Sequence, residues 1–473
     1  MHDKVGEHSF VQASLTHVND QVTRGTAEVS AAIGEALGTT DQSAIAAGRA
    51  TLSNQLSQAL QSVQTEPSHQ DVHFVSRFDL VGLFQSALGK VFSDIPDLQR
   101  YGDKNPAWLA TIIEEITYDL STFFQRVYTD VHGNKRSLLH SVIAEWHQLR
   151  NTRAPFPPGS PRTIPMPENA SVVLLGDWGG DNDAARNVAA IVRKHNPSMG
   201  VHLGDIYYGG TKAECDSFLR LWPFHVNPAD PNSAIIHGSS LALNGNHEMY
   251  SGGESYFNTV LPAMGQPQSF FCLENQYWRI VGLDTAYAAG HLKPNGPDDP
   301  ITTQWNWLVN LLKSAPKRAN IFLTHHQPVS AHTEEWTDSK PLRQEIEELL
   351  ASDGIGQDAI FGWFFGHEHR CAIYQDDMLP YNARLIGNGC IPHEVQREKA
   401  ADPGCTPIDF VNNKETHPGS NTAVSSFAEL RFDGPKLVID YCNEDDTLWG
   451  TEQWDATAGR DGGVKFTERI CLP

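Results

Sequence analysis

The apolar positions of this chain repeat in two ways, and the change falls near residue 165. Before it the spacing is helical. Leu80, Leu83, Phe84, Leu88 and Val91 recur every three or four residues, as do Trp108, Ile112, Ile116, Leu120, Phe124 and Val127; this is the repeat of one face of an α-helix. The second set follows Asn105–Pro106, a start signal because proline is tolerated in the first helical turn. A third helix fits residues 136 to 150, with Leu139, Val142, Ile143 and Trp146 on one side. Residues 1 to about 70 hold AEVSAAIGEALG and SAIAAGRATLSNQLSQALQSV, which have good helix propensity but small apolar faces. They read as helices that pack on a partner, or as a mobile arm. The proline-rich run APFPPGSPRTIPMPEN then forbids regular ladders and marks a boundary. The expected division is a mostly helical region, 1–165, and a second domain, 166–473.

After the boundary, short apolar runs alternate with helical segments. SVVLLGD, GVHLGD, SLALNGN, WRIVGLD, NIFLTH, IFGWFFGH and ARLIGNG read as buried strands. Residues 183 to 195, with Asn182 or Asp183 as cap, 302 to 314 and 339 to 352 read as helices. Towards the end, SSFAELRFDGPKLVIDYCNEDDTLWGTEQW reads as a meander turning at Asp433–Gly434. This pattern predicts a layered α/β fold, two sheets packed together with helices outside.

Composition narrows the function. The chain has 473 residues, 40% hydrophobic, enough for a full core. Its 35 basic against 57 acidic side chains give a net charge of −22. A protein of bulk nucleic acid needs a basic track, so the acidic balance points to a small phosphate ester instead and away from a membrane surface. No run has the length of a membrane-spanning helix. The start shows no secretory pattern. The seven cysteines lack any C-x-x-C pair. Together these lead to an expectation of a cytoplasmic protein with reduced thiols. Oligomeric state is not legible.

Five segments carry the chemistry: GDWGG (176–180), GDIYY (204–208), GNHE (245–248), THH (324–326) and GHEH (366–369). Each follows a strand, and carboxyl ends of strands are where α/β sheets bind ligands. Asp177 and Asp205 offer hard oxygens, Asn246 a neutral carbonyl oxygen, and His325, His367 and His369 imidazole nitrogens. That mixed set suits Zn²⁺, Mn²⁺, iron or cobalt better than Ca²⁺ or Mg²⁺ alone. His325 and His326 compete for one place. Other candidates read more simply: His202 as a core histidine, Arg186 as a phosphate contact or a surface arginine, Trp305 and Trp307 as packing, and Glu345, Glu347 and Glu348 as a solvated helix face.

On these segments the chain resembles the calcineurin-like metallophosphoesterases and, among them, the purple acid phosphatases. Two features favour the narrower resemblance: Gly179 stands where many members carry a histidine, and Tyr208 stands three residues after Asp205. The resemblance covers roughly residues 170 to 450. It implies a four-layer α/β/β/α sandwich. It also implies two metal ions, one held by Asp177, Asp205, Tyr208 and His369, the other by Asp205, Asn246, His325 and His367. His325 is preferred to His326 because the family's ligand lies directly at the strand end. A phenol with a pKa near 10 binds as phenolate only beside a strong Lewis acid, so Fe³⁺ is implied, with Fe²⁺, Zn²⁺ or Mn²⁺ as the second ion. The implied reaction is hydrolysis of phosphate monoesters by metal-bound hydroxide, with His247 or His332 as general acid. Two alternatives stand beside it: a phosphodiesterase for cyclic nucleotides or phospholipid head groups, and an inactive binding module of the same fold.

Overall fold

The computed structural model describes residues 7–65, 79–93, 127–129, 135–137, 139–140, 142–144, 153–314, 317–352, 354–375, 379–391, 401–412, 423–458 and 464–469. The chain forms two units, one of residues 1–153 with 250–252, the other of 154–249 with 253–473.

The first unit holds helices Glu7–Arg24, Ala27–Leu37, Gln42–Thr65 and Asp79–Ser93. Thr26 caps the second of these, its Oγ1 accepting from Val29 N at 3.3 Å. Their small apolar faces need no outside partner to be covered. Val11, Leu15, Val18, Val22, Val29, Ile33, Leu52, Leu56, Val63, Val81 and Phe84 bury against one another and against Leu139, Val142 and Ile143. Each face is narrow because it is built from Val and Ala, but several of them meet. Val127, expected to end a helix, begins the strand Val127–Thr129, which pairs antiparallel with Lys135–Ser137; the β-branched and aromatic run Val-Tyr-Thr favours extended backbone. The latter strand also replaces the start of the helix expected from 136. The helix expected over Trp108 to Phe124 lies outside the described residues.

The second unit is a sandwich of two sheets. Among the described residues one sheet runs, side by side, Ile408–Val411, Cys371–Tyr374, Asn382–Ile386, Gly362–Phe365, Ala319–Thr324, Trp278–Gly282, Phe271–Glu274 and Thr163–Pro165. The other runs Val464–Arg469, Leu448–Asp455, Lys436–Asn443, Ser426–Asp433, Ser171–Leu175, Met199–His202 and Ser240–Ala242. The expected meander is present: Asp433 pairs with Lys436 across the turn, where Gly434 has φ 58°.

Alternation sets the layers. Val172 and Leu174 point into the space between the sheets and meet Ile280, Ile321, Leu323 and Phe364 from the facing sheet. Val281, Phe322, Trp363 and Phe365 point the other way and are covered by Leu308 and Leu312 of helix Thr302–Lys313 and by Leu342, Ile346 and Leu349 of helix Thr333–Leu350. Helix Asp183–His195, capped by Asn182 on Ala185 N (2.9 Å), buries Ala185, Val188, Ala189 and Val192. The result is the expected α/β/β/α order. Helix Thr333–Leu350 starts six residues before the expected 339 and carries Pro341 inside it.

Candidate metal centre

The central strands are parallel within each sheet, so their carboxyl ends lie along one edge. Asp177, Asp205, Asn246, His325, His367 and His369 all sit just past those ends. Three of them have left-handed backbone: φ is 54° at Asp177, 69° at Asp205 and 73° at His367. Such a conformation costs a non-glycine residue about 1–3 kcal/mol, and persists where the surroundings over-determine it. Two glycines make the crowding possible. A Cβ on Gly366 would stand 2.5 Å from Asp177 Oδ2, and one on Gly245 would run into Asp205 Oδ1.

The side chains form two groups that share Asp205. In one, Asn246 Oδ1 lies 2.9 Å from His325 Nε2 and 2.8 Å from His367 Nδ1, those nitrogens are 3.2 Å apart, and Asp205 Oδ1 is 3.2 Å from His325 Nε2. In the other, a tyrosine hydroxyl donates to Asp177 Oδ1 (2.7 Å) and lies 2.9 Å from His369 Nε2 and 3.3 Å from Asp205 Oδ2. The two oxygens of Asp205 thus face different groups. Asp177 Oδ2 accepts from the His367 amide at 2.8 Å.

That tyrosine is Tyr207, the neighbour of the Tyr208 expected there. Tyr207 is fully buried with its ring against those of His247 (4.7 Å between centroids) and His369 (5.7 Å). The backbone of Tyr208 is held elsewhere: its N–H donates to the Glu214 carboxylate and its carbonyl accepts from His247 Nδ1 at 2.6 Å. Glu214 also accepts from Gly209 N (3.1 Å), Thr211 N (2.9 Å) and Thr211 Oγ1 (2.8 Å). The sequence carried a signal for it, the T-x-x-E of a capping box, but nothing tied that box to the site. Glu248, fourth residue of GNHE, holds the Asp205 amide at 3.1 Å.

The remaining candidates separate. His325 joins the cluster, whereas His326 Nδ1 is 3.0 Å from Thr285 Oγ1. His247 is buried, its amide donating to Asp205 Oδ1 (3.0 Å) and its Nε2 3.7 Å from Asp205 Oδ2. His332 stands at the start of helix Thr333–Leu350, its amide on Ser330 Oγ (3.1 Å), and takes no part in the contacts above. His202 is buried beside Trp178, to whose carbonyl its Nε2 bonds. Burial pushes its pKa down to about 3, as befits a neutral core histidine. Arg186 pairs with Asp181 (2.9 Å) and Asp183 (2.8 Å). Trp307 packs on Phe270 (5.1 Å). Glu345 is more than a solvated face: it binds His291 Nδ1 (2.7 Å) and the amides of Leu292 (2.7 Å) and Lys293 (2.9 Å).

The donor set fits cations. His325 Nδ1 lies 3.1 Å from the Leu203 carbonyl, which takes its proton and turns the Nε2 lone pair towards Asn246 Oδ1 and Asp205 Oδ1. A lone pair aimed at two acceptors is repulsive unless a positive charge lies among them. Asp205, His325 and His367 have ligand atoms within 4.8 Å of one another. The electrostatics reflect the same demand. Burial raises Asp177 to about 8, with the charge of Asp205 adding to it. Burial opposes ionisation of Asp205 too, but His325 and His247 outweigh it and hold this carboxyl well below its ordinary range. Burial would lower His325, yet Asp205 and Asp177 raise it to about 9.

Residues 170–371 match the calcineurin-like phosphoesterase family model. No curated protein matches the chain. Among solved structures it is similar to GAP50, the anchor in the inner membrane complex of Plasmodium, at 13% identity over 64% of this chain and 91% of that one, TM-score 0.44. It is similar to PhoD at 10% identity over 67% and 74%, TM-score 0.42. It is also similar to YfcE, a phosphoesterase from E. coli, at 11% identity over 59% and 97%, TM-score 0.27. No helix among the described residues is long and apolar enough to cross a membrane.

Proposed function

From the premise that residues 170–371 are a calcineurin-like phosphoesterase domain, a family fold of metal-dependent phosphoester hydrolysis, we propose that this chain is a dinuclear phosphomonoesterase of the purple acid phosphatase kind. The observation that carries the reading is Asp205, whose oxygens face the Asp177–Tyr207–His369 group on one side and the Asn246–His325–His367 group on the other. In this reading Asp205 bridges two ions. Asp177, Tyr207 and His369 complete one site, and Asn246, His325 and His367 the other. Bound there, two cations supply Lewis acidity and a nucleophilic water of lowered pKa. A phenol in the first set favours Fe³⁺ there, with Fe²⁺, Zn²⁺ or Mn²⁺ in the second.

The chain's own residues do the rest. The Leu203 carbonyl orients His325 (3.1 Å), and the His367 amide orients Asp177 (2.8 Å). Asp177 and Asp205 are fully buried, which excludes water from their charges and strengthens every interaction there. Of the two histidines assigned to leaving-group protonation, His247 is the stronger candidate, because its amide donates to Asp205 Oδ1 and its Nε2 lies 3.7 Å from Asp205 Oδ2. All these groups belong to the unit of residues 154–249 and 253–473.

The test is turnover by the full chain of p-nitrophenyl phosphate against its bis-ester, before and after chelation. The reading expects faster cleavage of the monoester, lost on chelation and restored by metal. Faster cleavage of the bis-ester would favour a diesterase. Activity that survives complete metal removal would sink the dinuclear reading.

A further inference from the structure

Thr285 and His326 have no role in the reading above, yet they are bound to each other. Thr285 lies just past the strand Trp278–Gly282 and is fully buried; His326 follows His325 and is half-buried. The His326 amide donates to Thr285 Oγ1 at 3.1 Å, and the same oxygen lies 3.0 Å from His326 Nδ1. Among the described residues that hydroxyl has no other hydrogen-bond partner. A buried hydroxyl needs a taker for its one proton. The amide is a donor, so the taker is Nδ1. With Nδ1 acting as acceptor, a neutral imidazole carries its proton on Nε2.

The ring is therefore locked with an N–H on the edge away from Thr285. It lies beside the proposed ligands, its centroid 4.8 Å from that of His367 and 5.1 Å from that of His325. Nε2 has no hydrogen-bond partner among the described residues. It is no metal ligand in this form, because the protonated nitrogen has no lone pair and the other nitrogen is engaged. A fixed donor next to a two-metal centre suits an anion with oxygens to spare.

We infer that His326 Nε2–H donates to a non-bridging oxygen of a bound phosphoryl group, and that Thr285 is the positioning residue that holds the imidazole in its donor form. This inference rests on the phosphoesterase reading and names a contact of that same site.

The experiment uses the full chain loaded with metal and inorganic phosphate as probe. Phosphate affinity is measured by titration calorimetry, metal per chain by elemental analysis, and kcat and KM with p-nitrophenyl phosphate. His326→Ala should keep its full metal complement and bind phosphate roughly 10- to 100-fold more weakly, the effect of one hydrogen bond to a charged group. His326→Gln, whose amide N–H reaches about as far as Nε2, should recover part of that loss. Thr285→Val should weaken phosphate binding several-fold with metal unchanged, and Thr285→Ser should recover it. Wild-type phosphate affinity in His326→Ala, or loss of a metal ion from it, overturns the inference. Should His326→Ala fail to fold, Thr285→Val decides: unchanged phosphate affinity in that variant overturns the inference equally. A wild-type chain that binds no metal and cleaves no ester overturns the phosphoesterase reading itself. An active wild type indifferent to both positions overturns only the role of His326.

Discussion

Tyr207, itself buried, places its hydroxyl between Asp177 (2.7 Å) and His369 (2.9 Å). Tyr207→Phe removes that oxygen and nothing else. We predict a loss of metal affinity and turnover of at least 10- to 100-fold, the scale on which even groups one step removed from a metal act. Tyr208→Phe should stay within a few-fold. Metal titration and p-nitrophenyl phosphate kinetics on the two variants check this; the reverse order would restore Tyr208 to the ligand set. If iron occupies the phenol-bearing site, a visible charge-transfer band should vanish with Tyr207→Phe alone. Most of the proposed site was legible at this scale, because Asp177, Asp205, Asn246 and His367 each follow a glycine past a strand end, and His325 directly follows a strand. The tyrosine was not, since nothing in two adjacent tyrosines says which ring turns inward. Nor was the Thr285–His326 pair, whose members come from different strand ends and are linked only in space.

Single elements add constraints of their own. The turn after Tyr207 hangs on the Glu214 carboxylate, which takes the N–H groups of Tyr208, Gly209 and Thr211 at the start of helix Lys212–Leu221. Glu214→Ala should cost about 1–2 kcal/mol as a lost cap and also weaken metal binding, whereas Glu214→Gln should keep part of both. Thermal melts and metal titration distinguish the two effects; unchanged metal affinity in Glu214→Ala would show that the turn does not position Tyr207. At the end of helix Asp183–His195, His195 lies between Glu429 (2.9 Å) and Asp446 (2.7 Å). Burial lowers its affinity for a proton, but hydrogen bonds and charge from Asp446 and Glu429 outweigh it and raise the pKa above the ordinary 6.5. The folded state therefore binds this proton more tightly than the unfolded state. The clasp contributes fully below about pH 6.5 and fades as pH rises through the folded value. The melting-temperature deficit of His195→Gln should accordingly be larger at pH 5.5 than at pH 9, and a deficit equal at both would reject the charged clasp. Helix Asp183–His195 was legible to the residue because Asn182 caps it and one face is apolar. The helices of residues 7–65 were underestimated because faces of Val and Ala look too small until several are stacked.

Across the whole second unit, the two sheets are joined by more than apolar contact. Arg384 of strand Asn382–Ile386 pairs with Glu452 of strand Leu448–Asp455 through Nε–Oε1 (2.8 Å) and Nη2–Oε2 (2.9 Å), both side chains fully buried. Tyr441 and Trp454 also donate to Glu452 (3.1 and 2.7 Å), and the guanidinium lies 5.6 Å from the Trp454 ring. Glu452→Ala leaves that guanidinium unpaired and should cost about 3–5 kcal/mol, while Arg384→Met with Glu452→Leu should recover most of it. Denaturant unfolding of the three proteins measures this, and a double variant as weak as the single one would mean that the pair itself, and not the avoidance of an unpaired charge, stabilises the sandwich. The layer order was legible from alternating strands and helices; this cross-sheet pair was not, because an arginine inside an otherwise apolar strand shows its partner only once the sheets are stacked.

The account stands on one bridging carboxylate, so metal stoichiometry tests it most directly. Elemental analysis of the full chain and of Asp205→Ala, after equilibration with the same metals, should find two ions per chain in the first and fewer than one in the second. One ion or none in the wild-type chain, or two in Asp205→Ala, would contradict it.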